Sequence, residues 1–279
     1  MLLKGGTAKV KVPNNIRLIA LDLDGTVLRE DLRVSERTKE AVREVRCQGV
    51  EVVICTGRMF ATALPYAQEL ELDLPLITYQ GAIVKSLSGE VLYRREVPLT
   101  RARQVVLEAR AHGFAANMYM DDLLHVEHLT PQGEKYINKL GIPFRKVDDL
   151  LTLLESDPTK LLVLNEEEKL DAFARFWREK YGNSLYVTKS LATYLEFLHP
   201  EATKGRGLAA LADYLGIPRE QVMAVGDSWN DMEMFKFAGF SVAMGNGPAD
   251  VRAMADYVTK SNEEDGVAFA IENFILNCA

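Results

Sequence analysis

From residue 16 onward the chain alternates short apolar runs with longer stretches whose apolar positions recur three or four residues apart. The first run is "LIAL" at Leu18–Leu21. "SERTKEAVREVRCQG" follows, with Thr38, Ala41, Val42 and Val45 on one helical face, Ser35 placed to cap the start and Gly49 to stop the end. "VEVVIC" (50–55) predicts a second buried strand, a helix over roughly Ala61 to Leu70 comes next, and "LPLITY" predicts a third strand. This β-α-β-α order implies a parallel sheet with right-handed crossovers. The same grammar returns near the C-terminus. "KGRGLAALADYLG" puts Leu208, Leu211, Ala212 and Leu215 on one helix face, "QVMAVGD" is a buried strand, "MEMFKFAG" a helix and "FSVAMG" another strand. Pro248 stands near the start of a helix, where its missing N–H does no harm, and "DGVAFAIENFIL" closes the pattern as an amphipathic helix.

Between about 85 and 192 the texture changes. "EVLYRREVP", "FAANMYM" and "LLHVEH" alternate partially, as in an antiparallel sheet with one covered face. Helical stretches at Arg101–Ala111, Gly133–Leu140 and Glu167–Tyr181 are interleaved with them, and "KLLVLN" and "SLYVTK" add strands. The reading is an α/β fold: a Rossmann-like parallel-sheet core over 1–84 (with a loose leader at 1–15) and 193–279, and an α+β domain inserted at 85–192.

Composition narrows the function. A length of 279 residues suits about two domains, and 48% hydrophobic with 26% charged residues is ordinary for a soluble globular protein. A formal net charge of −7 argues against a general nucleic-acid or anionic-membrane binder. Cys47, Cys55 and Cys278 are odd in number and widely spaced, which suggests neither a disulfide framework nor a zinc site and fits a reducing, cytoplasmic setting. No apolar run approaches a membrane span, and "MLLKGGTAKVKVPNN" has no apolar stretch of signal-peptide length.

The chemistry gathers at strand exits, where α/β folds place their sites. Asp22-Leu23-Asp24-Gly25-Thr26 follows the first strand, Thr56-Gly57-Arg58 the second, Lys204-Gly205 opens the helix that returns to the core, and "GDSWND", with Asp227, Asn230 and Asp231, follows "VMAV". Each alone reads as a turn or a helix cap. Two carboxylates at the tip of a buried strand are another matter, because an ionised carboxylate leaves water only at high cost unless something compensates it. The four together, in this order, read as one site.

The set resembles the haloacid dehalogenase-like hydrolase superfamily, and within it the Cof-type phosphatases with a large α+β cap. The resemblance rests on "LIALDLDGT", "CTGR", "KG" at 204 and "GDSWND", with "AMGNG" (Asn246) and "NEEDGVA" (Asn262, Asp265, Gly266) behind them, and covers residues 16–276. One departure is visible: where the branch usually shows Asn-Gly-Ala, this chain has Gln80-Gly81-Ala82.

The resemblance implies hydrolysis of small phosphomonoesters through an aspartyl-phosphate. Asp22 is then the nucleophile, and Asp24 the acid that protonates the leaving alcohol and the base that activates water. Mg2+ would be held by Asp22, Asp227 and the backbone carbonyl of Asp24. Thr56, Gly57, Lys204 and Asn230 would hold the phosphate, with Thr26 and Asp231 as supports. Arg58 is placed outside this set, as a partner for a carboxylate. His125, His128, Arg145 and Lys189 are polar candidates in the cap, each read first as a surface or structural residue. The implied partner is a small phosphorylated metabolite (a sugar phosphate, flavin, pyridoxal or nucleotide), with no nucleic acid, no membrane and a monomer by default. The alternatives are a sugar phosphomutase, which needs a second cationic phosphate site in the cap, and a phosphoester-binding module without turnover.

Overall fold

The computed structural model describes residues 15–278, so all of the expected leader but Asn15 lies outside the described residues. The chain opens with β1 (Leu18–Leu21), α1 (Glu36–Cys47), β2 (Glu51–Ile54), α2 (Phe60–Glu69), β3 (Leu76–Thr78), β4 (Ile83–Lys85) and β5 (Val91–Arg94). It continues with α3 (Leu99–Ala111), β6 (Ala116–Met120), β7 (Leu123–Val126), α4 (Pro131–Leu140), β8 (Phe144–Lys146), β9 (Lys160–Leu164), α5 (Glu167–Tyr181), β10 (Tyr186–Leu191) and β11 (Tyr194–Leu198). Then follow α6 (Lys204–Leu215), β12 (Val222–Gly226), α7 (Met232–Phe237), β13 (Phe240–Ala243), α8 (Ala249–Arg252), β14 (Tyr257–Val258) and α9 (Gly266–Phe274).

The core sheet is parallel in the order β14-β13-β12-β1-β2, with Leu21 in register with Val225 on one side and Ile54 on the other. A parallel bridge between Cys55 and Ile77 carries that order on to β3. Both faces are covered, because alternate side chains of each strand enter different layers. Ile19 and Leu21 pack with Val42, Ala63 and Ile271 from α1, α2 and α9; Leu18 and Ala20 pack with Leu208 and Met234 from α6 and α7. The expected cap of α1 is formed, with the Ser35 hydroxyl accepting the Thr38 N–H at 3.1 Å.

The cap sheet has the order β10-β11-β9-β6-β7-β8, antiparallel except at β7–β8. Its outer face packs on α3 and α5 through residues such as Val105, Phe173 and Trp177. Its inner face, with Tyr119, Leu162 and Leu198, packs on Met59, Tyr79 and Ile83 of the core.

Two sequence expectations shift. Residues 85–94, expected in the cap, belong to a three-stranded antiparallel sheet, β3-β4-β5, because a tight turn at Tyr79–Gly81 folds β4 back onto β3. The return to the core, expected at 193, comes after β11: "YLEFL" pairs with both β9 and β10 in the cap sheet. Its alternation serves two layers, Leu195 and Phe197 facing the cap helices while Leu198 faces the core. Among the described residues, no helix is long and apolar enough to cross a membrane.

Candidate active site

Asp22 continues β1 by one residue, its N–H donating to Val225 O at 3.0 Å, and its side chain is almost fully buried. The chain then turns sharply, with Val27 N–H returning to Asp22 O and Leu28 N–H to Leu23 O. Gly25 makes the turn possible in two ways. Its φ is +82°, and a Cβ there would lie 2.5 Å from Asp227 Oδ2.

Three carboxylates converge below this turn. Oxygens of Asp22, Asp227 and Asp231 lie within 4.8 Å of one another. Lys204, fully buried at the first position of α6, donates to Asp22 Oδ1 and Asp231 Oδ1, each at 2.5 Å. The other oxygen of Asp231 accepts the N–H groups of Asp227 at 2.8 Å and Ser228 at 2.9 Å. Both Asp231 oxygens are thus engaged. Asp227 accepts from the Thr26 hydroxyl at 3.0 Å.

One ammonium does not neutralise three carboxylates. Burial pushes Asp22 up to about 7, with Lys204 opposing and Asp231 and Asp24 adding to the rise. Asp227 is driven well above the ordinary carboxylate range by burial and by the charges of Asp22 and Asp231. Burial works against the Lys204 charge, but Asp22 and Asp231 outweigh it and hold the ammonium more firmly protonated than usual. A donor set of anionic oxygens with unmet negative charge fits a hard divalent cation, with Asp22 and Asp227 as its carboxylates.

Asp24 faces elsewhere. Its carboxylate is half exposed and receives two parallel bonds from Arg58, Nε to Oδ2 at 2.7 Å and Nη2 to Oδ1 at 2.6 Å. Arg58 itself is buried, with its guanidinium 5.0 Å from the centre of the Tyr66 ring. Thr56 is buried, and its hydroxyl oxygen accepts the Arg58 N–H at 3.1 Å. Gly57 lies beneath the Gln80 amide; a Cβ there would sit 2.4 Å from Gln80 Nε2.

The C-terminal motifs clamp the loop that carries Asp22 and Asp24. Asn246 Nδ2 donates to Gly25 O at 2.8 Å, and Asn262 Nδ2 to Leu28 O at 2.9 Å. Arg29 pairs with Asp265 at 2.7 Å. Gly266 sits where a Cβ would meet Lys260 O at 2.2 Å.

A cavity of about 350 Å³ opens above Asp22, Asp24, Gly57, Asp227 and Asn230. From the cap, Tyr136, Lys139, Leu140, Leu191, Tyr194 and Glu196 complete its wall. The rings of Tyr136 and Tyr194 meet edge to face at 5.0 Å. The nine residues that the resemblance assigns to catalysis, metal, phosphate and support lie at or directly behind this cavity, with Thr26, Thr56, Lys204 and Asp231 behind the lining. The cap candidates His125, His128, Arg145 and Lys189 do not line it, and Lys189 pairs instead with Asp171 at 2.5 Å. Sequence reasoning missed the cap residues that do. The available signal was Glu196, a lone charge in the apolar strand "YLEFL"; Lys160, another at the head of "KLLVL", lies behind the wall and pairs with Glu196.

A family model described as haloacid dehalogenase-like hydrolase matches residues 19–271. A Bacillus subtilis 5-amino-6-(5-phospho-D-ribitylamino)uracil phosphatase is 34% identical over 269 residues, 93% of this chain and 98% of that protein. A second B. subtilis phosphatase of the same name is 33% identical, over 94% of this chain and 97% of its own length. The crystal structure of a haloacid dehalogenase-like hydrolase from Bacteroides thetaiotaomicron superposes with a TM-score of 0.83 at 31% identity, covering 94% of this chain and 100% of that one.

Proposed function

The chain belongs to the haloacid dehalogenase-like hydrolases, in the Cof-type branch with a large α+β cap, and from that premise we propose that it hydrolyses small phosphomonoesters through a covalent intermediate on Asp22. The observation that carries this reading is the convergence of Asp22 and Asp227 at the floor of a cavity roofed by the cap, with Lys204 buried behind them and bonded to Asp22.

Asp22 attacks phosphorus from one oxygen while Lys204 holds the other, so the nucleophile is fixed before the substrate arrives. The P–O bond to the leaving alcohol breaks, and Asp24 gives that oxygen its proton. Water then attacks the acyl phosphate, Asp24 takes the water's proton, and phosphate leaves with Asp22 restored. The Arg58 contact fixes the Asp24 carboxylate and leaves each oxygen a lone pair for the proton. Thr56, Gly57, Lys204 and Asn230 supply the donors that the spreading phosphoryl charge requires. Asp22 and Asp227 would hold Mg2+, which when bound would supply the positive charge that lets a phosphate dianion approach a carboxylate.

The aromatic wall of Tyr136 and Tyr194 favours leaving groups with a flat ring over bare sugars. Flavin mononucleotide and pyridoxal phosphate therefore head the substrate panel, together with 5-amino-6-(5-phospho-D-ribitylamino)uracil, the one compound that the names of the two B. subtilis relatives give. Among the described residues the cap brings one cation, Lys139, to the cavity, which is too little for the second phosphate of a mutase. With a buried and an exposed free thiol, we place the protein in a reducing cytoplasm.

The test is phosphate release from that panel with Mg2+ and with EDTA, for the wild type and Asp22→Asn. The substitution keeps an oxygen for Lys204, so the fold persists while turnover falls by about 10^6-fold, the scale of losing a nucleophile. Turnover surviving in Asp22→Asn would remove Asp22 from the chemistry.

A further inference from the structure

The turn at Tyr79–Gly81 carries three successive left-handed residues, with φ of 51°, 60° and 94°. Tyr79 and Gln80 are uncommon in that region, and both are buried. Held conformations of this kind concentrate where a site needs them. Here each projects its side chain into the cap. The Tyr79 hydroxyl donates to Asp122 at 2.6 Å, and the same carboxylate accepts the Phe60 and Ala61 N–H groups at the start of α2. Gln80 Nε2 donates to Glu196 Oε2 at 3.0 Å, while its Oε1 accepts Asn230 Nδ2 at 2.9 Å.

Glu196 has a second buried partner. Lys160, on the neighbouring cap strand, donates to Glu196 Oε2 at 3.3 Å and to the core carbonyl of Gly57 at 3.0 Å. Ser190 occupies the remaining Glu196 oxygen at 2.7 Å. A closed chain of bonds therefore runs from Gly57 O through Lys160, Glu196 and Gln80 to Asn230. It starts and ends at the phosphate floor and passes through the cap between.

A buried ion pair is weak grounds for stability, and its better-attested use is to fix registry. This pair is built for that. Both charges belong to the cap, while Gln80 and Gly57 O, which complete their bonding, belong to the core. The bridging group must donate at one end and accept at the other, which an amide does and a carboxylate does not. It must also span from Asn230 to Glu196, which suits Gln better than the shorter Asn usual at this position.

We propose that Gln80, Glu196 and Lys160 are positioning residues that register the cap on the phosphate-holding loop, so that Gly57 and Asn230 are in place when the cap is seated. The kinetic part of this inference rests on the phosphatase reading; the structural part does not.

The test compares wild type, Gln80→Asn, Lys160→Met, Glu196→Gln and the double variant Lys160→Met/Glu196→Gln. Three properties are read: thermal unfolding, amide hydrogen exchange over residues 56–61 and 79–83, and kcat and KM on p-nitrophenyl phosphate. Lys160→Met leaves a buried carboxylate unpaired and lowers thermal stability, and the double variant removes both charges and recovers it. Positioning separates from packing at that point. In the double variant Gly57 O still lacks its donor, so kcat stays down by about 10- to 100-fold and exchange at 56–61 stays fast. Gln80→Asn gives the same signature with the ion pair intact, and carries the test if Lys160→Met does not fold. Recovery of kcat together with stability in the double variant would overturn the proposal, as would wild-type exchange at 56–61 in both that variant and Gln80→Asn. A wild type that releases no phosphate sinks the phosphatase reading alone, and exchange then decides the registry.

Discussion

At the scale of single residues, Arg58 shows how a side chain acts through another. The guanidinium touches Asp24 on both oxygens and is itself pinned by burial and by Tyr66. Lysine would bring the charge but not the two-pronged grip. Arg58→Lys should therefore lower kcat by about 10- to 100-fold with KM nearly unchanged, since the acid/base proposed at Asp24 is misplaced while the proposed phosphate donors remain. Steady-state kinetics on p-nitrophenyl phosphate checks this, and a rise in KM alone would mean that Arg58 holds substrate instead. The residue types at the site were legible in the sequence for a plain reason: Asp22, Asp227 and Lys204 are charges abutting apolar runs or a helix start, where a charge needs an explanation. Their partners were less so. Nothing local to Arg58 says that it reaches Asp24, 34 residues back along the chain.

At the scale of elements, the parallel strands and their helices were readable because periodicity and capping are local signals, as in α1 with Ser35 and its buried Thr38, Ala41, Val42 and Val45. The cap limits were not, since they depend on which strands pair. β4 could join β3 only through the left-handed turn at Tyr79–Gly81, and no pattern in "TYQGAI" announces three positive φ angles in a row. β11 has the composition of a core strand and the neighbours of a cap strand. The loop after β1 is likewise held from a distance, by Asn246 and Asn262. Asn262→Ala removes the donor to Leu28 O, a carbonyl in a fully buried residue, and should cost about 1–3 kcal/mol of stability. Because that loop carries Asp22 and Asp24, kcat should fall with it. Thermal unfolding and kinetics on one preparation test the link; lost stability at full kcat would show that the clamp holds the fold and not the site.

At the scale of the whole molecule, charge is the quantity that matters. The chain carries a formal net charge of −7, so its overall field repels a phosphate ester, and attraction must come from the site. Yet the site itself is anionic, with Asp22, Asp227 and Asp231 within 4.8 Å sharing the single ammonium of Lys204. Two consequences follow from that imbalance, and they have opposite signs in the same variant. Without metal, Asp227→Asn removes a carboxyl whose ionisation burial, Asp22 and Asp231 all oppose, while keeping an oxygen for the Thr26 hydroxyl, so it should raise Tm. With Mg2+ at 100 times its Kd the wild type gains about 2.7 kcal/mol, whereas the variant, short of one carboxylate, gains much less. For a chain of this size each kcal/mol moves Tm by about 2–4 °C, well within reach of differential scanning fluorimetry with and without EDTA. The two curves should cross: the variant more stable in EDTA, the wild type more stable in Mg2+. A wild type insensitive to Mg2+, with the variant no more stable in EDTA, would mean that the carboxylates are already neutralised within the fold and that the cation has no place there.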